Sequence, residues 1–244
     1  MSNSRSSDIV ESLKTEILSG RFLEGERLPS ERDLAARFGS SRGAVREALS
    51  QLELLGIIHI LPGGARVQPV DSANISILGS LLAQGEMPDS GLVDQFLQVF
   101  GALAVLAARE SILKASEEQL NQMQELAVSV SQCGEDLASM LTRWIALLEY
   151  QSEVAANLVA RLIGNDLKGQ FVQEMAAIDI SHRLDNTELK KLVETLTEQI
   201  EQAQAESAAV VIQQFFDLLR VAMQGELDTS QSPGPRMAGV AGGA

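Results

Sequence analysis

At 244 residues with 45% apolar content, the chain is long enough for two domains and hydrophobic enough to bury a core in each. Aromatic residues make up only 4%, while Leu, Ala, Glu and Gln dominate, a balance that favours helix over sheet. A net charge of −14 discourages indiscriminate coating of nucleic acid, and the single cysteine, Cys133, excludes an intrachain disulfide.

The first residues, Met-Ser-Asn-Ser-Arg-Ser-Ser, lack the apolar core of a secretory leader. Ile9, Val10, Leu13, Ile17 and Leu18 then predict an amphipathic helix ended by Gly20. From Leu28 to Leu49 two short helices are predicted around a tight turn at Gly39. Pro29 and Ser30 mark the start of the first, because a serine hydroxyl accepts from the orphan amides of a first turn; Leu34, Ala35 and Phe38 share its inward face. Ser41 caps the second, whose inward stripe is Val45, Leu49 and Leu52, while Arg42 and Arg46, four apart, share another face near its start. This is the spacing of a helix-turn-helix whose second helix enters the major groove N-terminus first. Two β-prone runs, 57–61 and 65–70, flank Pro62-Gly63-Gly64 and predict a hairpin, which turns the motif into a winged helix. Residues 1–70 carry nine Lys and Arg against nine Asp and Glu, and the remainder carries ten against twenty-four. The acidity therefore lies outside the arginine-bearing segment, and phosphate contact depends on the local field.

Beyond Asp71 the pattern is helical. A short amphipathic piece is predicted over 74–83, a loop over 85–91, and helices over 92–114, 117–131, 135–163, 166–180 and 187–224. Breaks are expected at Ala115-Ser116, Gly134, Gly164 and Asp185-Asn186. No run alternates as a strand would, so the fold expected is mainly α: a winged helix-turn-helix with a small β-hairpin, then an antiparallel helical bundle. The organisation expected is a DNA-binding domain over 1–70, a linker with a short helix over 71–91, a helical ligand-binding and dimerisation domain over 92–226, and a disordered Pro/Gly-rich tail over 227–244. Apolar runs such as Ala102–Ala108 are too short to span a bilayer, so a cytoplasmic protein without a membrane partner is expected.

The stretch from Ile17 to Val70 resembles the GntR family of bacterial transcription regulators. The resemblance is carried by Ile17-Leu-Ser-Gly-Arg, Gly25-Glu-Arg-Leu-Pro-Ser-Glu-Arg-Asp-Leu-Ala, Ser41-Arg-Gly-Ala-Val-Arg-Glu-Ala-Leu and Leu52-Glu-Leu-Leu-Gly-Ile. The all-helical remainder is similar to the FadR subfamily. A further likeness, to that subfamily's fatty-acid-responsive member, runs through Asn74-Ile-Ser-Ile-Leu and Leu92-Val-Asp-Gln-Phe-Leu-Gln-Val-Phe. The resemblance implies DNA contact by Arg32, Ser41, Arg42, Gly43, Ala44, Arg46, Pro62 and Gly63. Arg42 and Arg46 would read guanines, Arg32 a phosphate or base edge, and Ser41 a phosphate at its helix N-terminus; Gly63 would approach the minor groove. Arg37 and Arg66 are weaker members of the same set. Three positions depart from the pattern: Ser40 replaces an inward-packing valine, Pro62 a polar wing-tip residue, and Gly43-Ala44 hydroxyl side chains.

Many members of the subfamily bind a metal through an Asp and three histidines. With only His59 and His182 this chain cannot build that set, so no metal and no cofactor are expected. Where those members place a carboxylate-binding arginine, the first bundle helix offers Phe96 or Phe100, which implies an apolar effector such as an acyl chain or acyl-CoA. Trp144, Tyr150, Phe171, Phe215 and Phe216 read mainly as core, with Trp144 also a pocket-wall candidate. Arg109, Arg143, Asn157 and Arg161 are the candidate headgroup contacts, and His182 reads as a helix-end residue. Gly39-Ser-Ser-Arg-Gly43 matches the serine-hydrolase elbow, but a predicted helix precedes it, so no catalytic residue is assigned and no enzyme is expected. The partners expected are a palindromic duplex operator, a second copy of the chain and a small effector. The alternatives are a helical domain that serves only protein interaction, or one that senses another organic acid without a metal.

Overall fold

The computed structural model describes residues 2–85, 88–133, 137–175 and 183–231. The chain divides between Glu86 and Met87 into two compact units, and among the described residues it is mainly helical.

The first unit is a three-helix core with a hairpin: α1 (Ser2–Leu18), α2 (Glu31–Arg37), α3 (Arg42–Leu54), β1 (Ile58–Leu61) and β2 (Gly64–Val67). The spacings that predicted the helices also bury them: Leu13, Leu34, Val45 and Leu52 are fully enclosed, and Ile9 and Ile17 join them from α1. Helix α1 begins well before its first apolar residue. Ser30 and Ser41 cap α2 and α3, accepting from Asp33 N at 3.3 Å and Ala44 N at 3.2 Å. Between them the chain reverses at Gly39, φ +55°, in the left-handed region where a glycine carries no penalty. The hairpin pairs Ile58 with Val67 and Leu61 with Gly64 around Pro62-Gly63. The outer edge of β2 is covered by residues 25–28, where Leu28 N donates to Ala65 O and Val67 N to Glu26 O.

The hydroxyl of Ser40 is buried and has no hydrogen-bond partner among the described residues. An unpaired buried hydroxyl costs about 1–3 kcal/mol, whereas an aliphatic side chain would gain from the same burial. Ser40→Val is therefore expected to raise the stability of the full chain by about 1 kcal/mol, read as a higher melting temperature, with duplex binding unchanged.

The chain leaving the hairpin is fastened to the end of α3. Asn74 Nδ2 donates to Leu54 O at 2.7 Å, and Asn74 N to Leu55 O at 3.0 Å. A 3₁₀ turn over Ile75–Ile77 then leads into α4 (Leu78–Leu82), and Ile77 is buried in the winged-helix core.

The second unit contains α5 (Ser90–Lys114), α6 (Glu117–Ser131), α7 (Leu137–Val154), α8 (Leu158–Met175), α9 (Asn186–Glu201) and α10 (Ala205–Gln231). Helices α5 and α10 pack along most of their length, with α7 and α8 also on α5, and α6 between α7 and α9. Gly101 allows the closest approach, since a Cβ there would lie 2.9 Å from Phe216 Cγ. Helix α5 is long and apolar enough to cross a membrane by length and composition. It nevertheless buries Val93, Phe96, Leu97 and Ile112 as a bundle helix does.

Four expected boundaries differ, the first being the tail expected over 227–244: α10 runs on to Gln231 and buries Leu227, so the start of that stretch belongs to the bundle. The helix expected over 135–163 breaks instead at Ala155–Asn157, where Ala156 takes φ +52° and Asn157 Oδ1 accepts from Ala160 N to start α8. The break expected at Gly164 is absent, and that glycine lies within α8. The helix expected over 187–224 divides at Gln202–Gln204, with Ala203 at φ +51° and Gln204 N bonded to Gln199 O. The expected break at Ala115-Ser116 carries a reciprocal cap between Ser116 and Gln119.

Candidate nucleic-acid interface

Helix α3 turns Val45, Ala48, Leu49 and Leu52 inward and leaves Arg42, Gly43, Arg46, Glu47 and Ser50 exposed. Arg42 stands at the first turn beside the Ser41 cap; its side chain makes no hydrogen bond or ion pair among the described residues, and its charge adds to that of Arg46 in lowering the Glu31 pKa. Arg46 is gripped by Glu31 of α2: Nε donates to Oε1 at 3.2 Å and Nη2 to Oε2 at 2.9 Å. That contact holds the Glu31 carboxyl below its ordinary pKa. Arg32 is exposed, 3.6 Å from Asp33. Ala44 faces the core, and its amide is already committed to Ser41, so of the Gly43-Ala44 pair only Gly43 lies on the outer face.

In the wing, Pro62 and Gly63 are exposed and open space surrounds Gly63. Gly64 is tighter, since a Cβ there would meet the Arg27 guanidinium at 2.8 Å. Glu53 of α3 holds β1 of the hairpin, accepting from Ile60 N at 2.7 Å and lying 3.1 Å from His59 Nδ1. Arg66 donates to Gly25 O at 2.8 Å. Arg37 forks onto Glu16 of α1, with Nη1 2.9 Å from Oε2 and Nη2 on the other oxygen. The Arg37 hydrogen bond is the main cause of the lowered Glu16 pKa, and the guanidinium lies 4.9 Å from the Phe38 ring centre. Arg37 thus ties α1 to α2.

In the second unit, Phe96 stacks on Phe100 with centroids 5.6 Å apart, Phe100 meets Phe216 edge-on at 5.9 Å, and Phe215 joins Phe216 to a stacked Trp144 at 4.0 Å. Three candidates, Phe96, Phe100 and Trp144, are thereby gathered into one filled aromatic row. The four candidate headgroup contacts are dispersed. Arg109 Nε lies 2.8 Å from Glu206 Oε1, although its N–H is not aligned on that oxygen, so this is a charge contact rather than a hydrogen bond. Arg143 donates to Ser129 O at 3.0 Å, Asn157 caps α8, and Arg161 is exposed on α8. His182 lies outside the described residues, as does the side chain of Phe171. Among the described residues no three His, Cys, Asp or Glu side chains converge.

The buried amide of Gln151 and the Glu31 grip on Arg46 have no signal in the sequence. Among the described residues, Gln151 is completely buried with neither amide atom paired, and Trp144 Nε1, two turns earlier on α7, is likewise buried and unpaired. A glutamine within Glu149-Tyr-Gln-Ser-Glu153 reads as solvent-facing, and only the packing turns it inward. The Glu31 grip on Arg46 is equally unreadable, because it joins two helices across the turn.

Residues 5–67 match the model of the bacterial regulatory proteins of the gntR family. The HTH-type transcriptional regulator Mce2R of Mycobacterium tuberculosis is 28% identical over 179 residues, covering 70% of this chain and 72% of that protein. The HTH-type transcriptional repressor NagR of Bacillus subtilis is 35% identical over 92 residues, 35% of this chain and 38% of the relative. The solved structure of Lar, which controls the agr system of Listeria monocytogenes, shares the fold: TM-score 0.53 at 18% identity, covering 89% of this chain and 95% of that one.

Proposed function

The chain carries the DNA-binding domain of the GntR-family transcription regulators, and from that premise we propose a homodimeric, cytoplasmic, non-enzymatic regulator whose operator affinity responds to a small, largely apolar effector in the second unit. The observation that carries the DNA-reading part is the face of α3. Arg42, Gly43 and Arg46 stand exposed at the N-terminal end of a helix whose other side is buried, in the same unit as an open Pro62-Gly63 wing tip. Selection of a duplex from a random library by the full chain tests this reading. A palindrome with guanine in each half-site is the expected result, and no enrichment at low salt overturns it.

Dimerisation is supported by α8. Leu158, Val159, Leu162 and Ile163 are 67%, 67%, 59% and 40% exposed and form two adjacent i, i+4 pairs on one face. A two-fold dimer needs only one such self-complementary patch, and a second copy supplies the same surface. Leu162→Glu is expected to convert the dimer to monomer in light scattering and to weaken duplex binding. An unchanged mass would remove α8 from the interface.

The effector reading is supported by Gln151 and Trp144. Each buried unpaired polar group costs about 1–3 kcal/mol, which a ligand offering both an acceptor and a donor would recover. No charged side chain appears among the buried residues described, which suits an acyl-type ligand better than a free carboxylate. Entry requires the aromatic row to part, so free and bound bundles differ in packing, and ligand-dependent control rests on such a difference. The filled row itself favours the second reading, a bundle used only for protein contact. Native mass spectrometry of the purified chain separates the two. A copurified acyl species supports the effector; its absence, with melting temperature and duplex affinity unmoved by a lipid extract, supports the interaction module.

A further inference from the structure

We propose that Glu31 is a specificity-determining residue of the DNA-reading surface: it grips Arg46 along one edge and aims the other edge of the guanidinium at a single guanine. The inference rests on the DNA-reading function above and goes beyond it, since Glu31 touches no DNA itself.

An arginine has five N–H groups on two usable edges. Glu31 occupies the side edge, taking Nε–H at 3.2 Å and one Nη2 hydrogen at 2.9 Å. The end edge, Nη1 with the outward hydrogen of Nη2, is left as two parallel donors, the pattern that matches guanine O6 and N7. Glu31 is itself well placed to hold that aim. It opens α2 directly after the Ser30 cap and three residues before the fully buried Leu34. The Arg46 side chain is 71% exposed, so without the grip it would sample many rotamers, and each encounter with DNA would have to freeze them. The pairing also cancels the charge of Arg46. Its contribution is then a hydrogen-bond geometry rather than a pull on phosphate, whereas Arg42 on the same face feels Glu31 only through space, with no hydrogen bond to it.

The test uses the full chain and the duplex it selects, together with variants of that duplex in which each guanine is replaced in turn. Glu31→Gln is nearly isosteric, but an amide accepts from only one of the two N–H groups and turns a donor towards the other. The expected result is about a tenfold loss of preference at one guanine of each half-site, within the range that a bidentate contact supplies. Preference at other positions and the melting temperature stay unchanged, while binding to an unrelated duplex at low salt strengthens because a negative charge has gone. Arg46→Ala should lose preference at the same guanine, and adding Glu31→Gln to it should change base preference no further, although low-salt affinity for any duplex still rises with the lost charge. Tighter binding of the selected duplex by Glu31→Gln with base preference intact overturns the proposal, since Glu31 would then be a competitor for Arg46. Uniform weakening on every duplex with a lowered melting temperature overturns it too, leaving Glu31 a packing residue. Failure of the unaltered chain to bind any duplex is a separate result that removes the DNA-reading function instead.

Discussion

Arg42→Ala is expected to weaken binding to the selected duplex by about thirtyfold at the least and to relax its base preference at one position of each half-site. A good guanidinium–guanine pair is worth about 1–3 kcal/mol, and a symmetric dimer loses two of them, so the range is roughly 2–6 kcal/mol at about 1.4 kcal/mol per tenfold. The side chain is a clean probe because it is exposed and makes no hydrogen bond or ion pair among the described residues, so its removal leaves no orphaned carboxylate. Fluorescence anisotropy across a salt series decides what is lost. An unchanged slope of log affinity against log salt marks a base contact, whereas a slope reduced by about one per copy marks a phosphate contact. Wild-type affinity in Arg42→Ala would take this arginine off the interface.

Gly56→Ala is expected to be the most damaging single-methyl change in the first unit. Gly56 sits at φ +79°, where a Cβ costs about 1–2 kcal/mol, and that Cβ would lie 2.9 Å from Ser72 O and 3.0 Å from Ala73 Cα. Backbone atoms cannot swing aside as a side-chain tip can, so overpacking adds about 1–3 kcal/mol. Gly39→Ala is the control: its φ is +55°, but nothing lies within 4 Å of its Cβ, so only the conformational cost remains. Hydrogen exchange of the α3 amides in the full chain should show Gly56→Ala losing about twice the protection free energy of Gly39→Ala, on these two costs. Equal losses would mean that the 71–74 segment yields freely.

The winged helix was legible in the sequence because its signals are local. Ser30 and Ser41 cap, Gly39 and Pro62-Gly63 turn, and the apolar spacing of α2 and α3 points one way. The bundle was legible as helix but not as a set of boundaries. Gly164 looked like a stop, yet it lies inside α8, while Ala156 and Ala203, good helix formers, take left-handed turns. No residue type announces those turns. They occur where packing on neighbouring helices ends one helix and starts the next, and at Asn157 only a single capping side chain leaves a trace. The candidate ligand contacts failed to gather for a related reason. Spacing predicts which face a side chain takes, so Phe96, Phe100 and Trp144 came together. It does not predict what crosses to meet that face, so Glu206 at Arg109, Ser129 at Arg143 and the buried Gln151 amide were invisible.

The C-terminal end of α3 is where several ties meet. Glu53 fixes the hairpin through Ile60 N, and the carbonyls of Leu54 and Leu55 hold the outgoing chain through Asn74. Helix α3, the wing and the exit from the unit are therefore tied together at one point. Under the proposed function, each half-site is then expected to be gripped or let go in one step rather than peeled away contact by contact.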